Sequence, residues 1–148
     1  MKRIAKDITI DIRGEIIKSD IEIDNYVNAL IKVFYTKRGL NERDVESILK
    51  TGQKTRLIFL RIILGESDIQ NGEDIMNKIK QVRLYRNRVA HDTIDLIIND
   101  TEESLPTLEF NDDKGNRMDT SLDIINEVKE NKIFLFLNFR EILKRVKK

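Results

Sequence analysis

Residues 7–35 read DITIDIRGEIIKSDIEIDNYVNALIKVFY, and the spacing of their apolar positions decides the fold class. From just upstream, Ile4, Ile8, Ile12, Ile16, Ile23, Val27, Leu30 and Phe34 recur at steps of three, four or seven. At 3.6 residues per turn those steps put all of them on one stripe, as in a helix with a single buried face. Gly14 interrupts the run at a cost of about 1 kcal/mol relative to alanine, which a segment of this length tolerates. Lys37-Arg38-Gly39 then supplies a basic last turn and a glycine for the C-cap.

The helical signal continues downstream. Asn41 is a candidate N-cap for a short helix from Glu42 to Lys50, with Gly52 beyond its end. Residues 54–64, KTRLIFLRIIL, are apolar almost all round and are closed by Gly65. That pattern predicts a helix buried at the centre of a bundle. A strand is the alternative for so β-branched a run, but Arg56, Arg61 and the helical neighbours favour helix. Glu73 to Ile98 is read as an amphipathic helix with Ile75, Ile79, Val82, Val89, Thr93, Leu96 and Ile97 on one stripe. About residues 105–119 the pattern changes to short extended runs around the polar turn Asn111-Asp112-Asp113-Lys114-Gly115-Asn116, which suggests a small hairpin. That acidic turn lacks the alternating ligand spacing and terminal Glu of a calcium loop. A last helix is expected over about 121–147. The predicted architecture is all-α: an up-and-down bundle of four to five helices with a small β-hairpin insert, forming one domain over 1–148.

Composition excludes several chemistries. The 148 residues contain no cysteine, hence no disulfide, thiolate nucleophile or cysteine-based zinc site, and one histidine, hence no multi-histidine metal site within one chain. No metal and no cofactor are expected. Lys+Arg number 27 and Asp+Glu 26, a formal charge of +1. Bulk attraction to a polyanion is therefore absent, and any such site must be a local cluster. No apolar run approaches about 18 residues and the N-terminus lacks a signal-like apolar region, so a cytoplasmic protein without membrane contact is expected.

The chemistry concentrates in Arg86-Asn87-Arg88-Val89-Ala90-His91, which holds the single histidine. Arg86 is a permanent cation, Asn87 a neutral hydrogen-bonder, and His91 the one side chain with an ordinary pKa near neutrality. Arg86 falls at the centre of its helix's apolar stripe, where a guanidinium needs an anion, a partner chain or water. Arg83 and Arg88, with Lys78 and Lys80 upstream, complete a basic cluster suited to a phosphate backbone. In the plain structural alternative, Arg86 pairs with a carboxylate such as Glu15, Glu22 or Asp24, and His91 is a hydrogen-bonded boundary residue.

The string Arg86-Asn87-x-x-Ala90-His91, late in a helical chain, resembles the signature of the HEPN superfamily, an Arg followed by a His with four to six residues between. The Lys54-x-x-Leu57-Ile58-x-Leu60 segment is similar to the helix that precedes the motif in several branches, and the resemblance spans roughly Asp11 to Asp100. It implies a helical bundle that pairs as a homodimer with the two motifs facing each other, and a metal-independent endoribonuclease acting as a toxin or phage-defence component. By position, His91 would be the general acid/base, Arg86 would stabilise transition-state charge and Asn87 would orient phosphate or His91, with Arg83 and Arg88 holding RNA. An antitoxin or regulatory protein is a further candidate partner. Thr93 stands where some members carry a modifiable Tyr, which argues against that form of control. Other members are non-catalytic modules that bind nucleotide, RNA or protein, and this is the alternative reading.

Overall fold

The computed structural model describes the backbone of residues 2–91, 95–97, 107–111, 117–121 and 124–148, and the side chains of 12–87 and 124–148. Among them are five helices: α1 (Lys2–Lys37), α2 (Glu42–Leu49), α3 (Gln53–Glu66), α4 (Gly72–His91) and α5 (Ile124–Lys147). Strands β1 (Asp95–Ile97), β2 (Thr107–Asn111) and β3 (Arg117–Ser121) form an antiparallel sheet in that order. Leu96 pairs with Leu108, and Leu108 with Thr120. The chain divides into two compact units, residues 21–80 with 132–148, and residues 1–20 with 81–131.

In the first unit, Ile23, Val27, Leu30, Ile31 and Phe34 of α1 are buried, as their spacing predicts. They pack in a core with Leu60, Ile63 and Leu64 of α3, Ile75, Met76 and Ile79 of α4, and Leu135, Phe139 and Ile142 of α5. The order of the contacts gives the helix directions. Asp24 meets Arg56, the Tyr35 and Phe59 rings meet edge to face, and Arg38 pairs with Glu66, so α1 and α3 run the same way. Glu22 meets Lys132, and Tyr26 stacks on Phe136 and Phe139, so α5 is parallel to α1 as well. Asn71 bonds Asn138 while Lys78 lies over Phe134, which makes α4 antiparallel to α5. Residues 38–52, including the short α2, carry the chain back so that α3 starts beside the middle of α1 and runs parallel to it.

Local sequence explains most of the boundaries. α1 ends in a Schellman motif: Gly39 has φ +96°, its N–H bonds Thr36 O at 3.1 Å, and Leu40 N–H bonds Tyr35 O at 3.1 Å. Asn41 caps α2 by accepting Asp44 N–H at 2.8 Å. The end of α3 departs from expectation. Gly65 does not stop it; the helix runs to Glu66, and Asp68 takes the left-handed conformation at φ 55°. Asp tolerates that region better than most L-residues. Ile69 N–H reaches back to Leu64 O at 3.1 Å, and Arg145 of α5 donates to the carbonyls of Ser67 and Asp68 at 3.2 and 3.1 Å.

Two further expectations are corrected. α3 is not the central helix. Ile58 and Ile62 are 56% and 42% exposed, and only one side of α3 reaches the core. A helix apolar all round names no inner face, so neighbours decide which side is buried. The motif helix also stops early: α4 ends at His91, and Asp95–Ile97 pair with β2 instead of continuing as helix to Ile98. The residues Thr93-Ile94-Asp95-Leu96-Ile97-Ile98 are mostly β-branched and alternate as readily as they follow a helical period.

In the second unit, Ile12, Ile16, Val82, Ile124 and Val128 are buried, together with the polar residues Ser19, Asp20 and Asn131. Among the described residues no helix is long and apolar enough to cross a membrane.

Candidate functional site

The site grows from two breaks in two apolar stripes. On α4, Ile75, Ile79 and Val82 are buried one after another, and the next position on that face is Arg86. On α1, Ile16 and Ile23 are fully or almost fully buried, and Asp20 lies between them on the same stripe at 5% exposure. The helix period therefore carries an anion and a cation inward, one from each helix. They meet: Asp20 Oδ2 is 3.2 Å from Arg83 Nη1 and 3.8 Å from Arg86 Nε. The carboxylate is 7% exposed, and the two arginine side chains 24% and 33%.

Arg86 thus meets a carboxylate from another helix, as the structural alternative expects, but the residue is Asp20. Glu22 is engaged with Lys132 at 3.1 Å, and Asp24 with Arg56 at 2.8 Å. Asp20 does the neutralising. Its signal lay in the sequence as a charge inside an apolar stripe, the counterpart of Arg86, but composition and spacing cannot pair two positions 66 residues apart.

Arg86 Nη1 also donates to Asn87 Oδ1 at 3.2 Å. Asn87 is exposed and Arg86 half-buried, so one side of the guanidinium faces the anchor and the other is accessible. Arg83 is held more deeply, and its Nε is buried without a hydrogen-bond partner among the described residues, as is the hydroxyl of fully buried Ser19 beside Asp20. One turn before Arg86, Gln81 Nε2 donates to Tyr85 Oη and to Glu127 Oε1, both at 3.0 Å, and Tyr85 Oη donates to Glu127 Oε2 at 3.1 Å. That network ties α4 to α5 next to the arginines and fixes the helix from which they project.

Of the predicted site residues, the structure brings Arg83 and Arg86 onto one carboxylate and sets Asn87 beside Arg86. His91 is the final residue of α4; its side chain, that of Arg88, and Thr93 lie outside the described residues. The five-residue step from Arg86 to His91 corresponds to about 7.5 Å of rise and about 140° of rotation. On an ideal helix the two positions therefore lie on different faces. Among the described residues no cluster of three or more His, Asp or Glu is placed to hold a metal ion.

Chemically, the arrangement is an anchored cationic pair with a hydrogen-bonding amide at its exposed edge. Such a pair suits a phosphate, since a guanidinium offers several N–H donors in a fixed plane. Comparison with protein families, with curated proteins and with solved structures finds no match to this chain.

Proposed function

We propose that the chain is a HEPN-type, metal-independent endoribonuclease that works as a homodimer in the cytoplasm, as a toxin or phage-defence component. The observation that supports this best is Arg86: a guanidinium pinned on one side by Asp20, a third exposed on the other, with Asn87 at its edge. Pre-orientation by a buried anchor is what an electrostatic catalyst requires, because it acts on charge that develops only in the transition state. In this reading the chain is one helical domain of up-and-down connection, and the strands before α5 form a small insert.

His91 removes the proton of a ribose 2′-OH, and that oxygen attacks the adjacent phosphorus. The P–O5′ bond breaks and O5′ takes a proton from the protonated His91 of the second copy, leaving a 2′,3′-cyclic phosphate on one fragment and a 5′-OH on the other. Arg86 stabilises the extra negative charge on the non-bridging oxygens, Asn87 orients the phosphate, and Arg83 and Arg88 hold the neighbouring backbone. A histidine of ordinary pKa near 6.5 contributes about 10²–10⁴ in rate as acid or base at neutral pH. One imidazole serves poorly as both base and acid. The separation of Arg86 and His91 on an ideal helix, together with that shortage, favours a site completed by a second copy.

Wild type and His91→Ala incubated with total RNA and a labelled single strand, both in EDTA, test the proposal. Cleavage by wild type alone, with cyclic-phosphate ends, supports it, and growth inhibition on expression follows from it. Wild-type protein inert on varied RNAs at high concentration overturns it. The second reading, a non-catalytic module that binds nucleotide, RNA or a regulatory protein, draws on the same ion pair, since Asp20 neutralises part of the arginine charge. It predicts binding without turnover, weakened by Arg86→Ala.

A further inference from the structure

In the unit of residues 21–80 and 132–148, α3 and α4 enclose two hollows that share a wall. One, of about 320 Å³, is lined by Lys54, Leu57, Ile58, Arg61, Met76 and Lys80. The other, of about 250 Å³, shares Arg61 and Met76 and continues to Leu64, Ile69 and Glu73. Together they make one groove with an aliphatic floor. Ile58 on the wall of the first hollow is well exposed, whereas Leu60, Ile63 and Leu64 of α3 are packed. Lys54, Arg61 and Lys80 surround the first hollow, and none of them has an ion pair with a described residue.

We propose that this groove docks an acidic amphipathic helix of a partner protein. Its length follows α3 from Lys54 to Gly65, about 16 Å at 1.5 Å per residue, or about three turns of a bound helix. The two hollows in sequence suit two apolar side chains about two turns apart, the anchor pattern of a helix laid in a groove. Lys54 and Arg61 stand two turns apart beside them, placed to meet carboxylates flanking those anchors. A small anion would fill one hollow and leave the second uncovered. RNA would use the cations, but the lining offers no aromatic ring on which a base could stack. The proposal is independent of the ribonuclease reading, and its assay does not involve RNA cleavage.

The probe is a fluorescein-labelled helical peptide of roughly 15 residues, with Leu at i, i+4, i+7 and i+11 and Glu on the flanks. Fluorescence anisotropy reads its binding to the full chain. Binding weakened about tenfold or more by Ile58→Asp, and likewise by the pair Lys54→Glu with Arg61→Glu, is the expected result. A companion peptide with Lys in place of Glu is expected to prefer the doubly charge-reversed variant over wild type. All three positions are exposed, and circular dichroism confirms that the variants fold. Peptide binding no better than that of a scrambled isomer, or equal in all variants, overturns the proposal. So does an absence of peptide binding when labelled RNA or anionic vesicles lose affinity in the same variants, or when Ile58→Asp abolishes self-association; those results assign the groove to nucleic acid, lipid or a second copy.

Discussion

Replacing Asp20 by alanine removes the carboxylate on which two arginines converge. Deleting one partner of a fully buried ion pair costs about 3–5 kcal/mol, because the surviving charge is left without compensation in a poor solvent. Here the anion is 7% exposed, but Arg83 and Arg86 are 24% and 33% exposed and can turn partly to water. That access halves the expected loss, to roughly 1.5–2.5 kcal/mol. Urea unfolding followed by circular dichroism should report it as a lower midpoint at unchanged slope, and a thermal scan as a fall of roughly 3–10 °C. Asp20→Asn keeps the volume and loses the charge, so it should fall between wild type and alanine. A double-mutant cycle with Arg83→Ala should return a coupling above about 0.5 kcal/mol. An Asp20→Ala protein within about 0.5 kcal/mol of wild type, or a cycle that is simply additive, would refute the idea that this carboxylate anchors the site.

Three other perturbations have defined outcomes. Arg56 donates to Asp24 at 2.8 Å, Asn28 at 2.7 Å and the Thr51 carbonyl at 3.1 Å, and its side chain is 12% exposed; Arg56→Ala should cost about 2–4 kcal/mol in urea unfolding. Burial raises the Tyr35 phenol above its ordinary 10.0, Glu66 adds to the rise and Arg38 opposes it. The folded chain thus holds that proton more tightly than the unfolded one, so Tyr35's contribution is complete below pH 10 and is lost as pH climbs from about 10 through the raised folded value. Urea midpoints of wild type and Tyr35→Phe should diverge over that range, with wild type losing more. A β-carbon at Gly14 meets nothing within 4 Å, so Gly14→Ala should raise stability by about 0.5–1 kcal/mol, read from the same curves.

What could be read from the sequence was whatever a single element determines. Ile12, Ile16, Ile23, Val27, Leu30 and Phe34 are buried because their spacing fixes their face whatever packs on it. Gly39 and Asn41 cap their helices by local geometry alone. What could not be read depends on partners. α3 has no polar side to mark its outside, so only its packed neighbours leave Ile58 and Ile62 in water. Residues 95–97 are strand because β2 offers them a ladder; alone, their pattern also fits a helix. Arg86 was marked as a misplaced charge from its own helix, but the identity of its anion was a tertiary fact. Gly65 was the better residue for a helix stop, yet Asp68 adopts the left-handed turn where Arg145 bonds its carbonyl.

The parallel pairing of α1 with α5 has a consequence in time. Lys132 and Glu22 are separated by 110 residues, and Phe136 and Phe139 reach Tyr26 across a similar span. At translation rates of about 5–20 residues per second, the lateral cover of α1 leaves the ribosome roughly 5–20 s after the helix itself. Throughout that interval a long isoleucine-rich stripe is finished but lacks its last neighbour. The nascent chain is therefore a natural client for holding chaperones, and its yield on rapid overexpression should depend on them more steeply than the stability of the finished bundle would suggest.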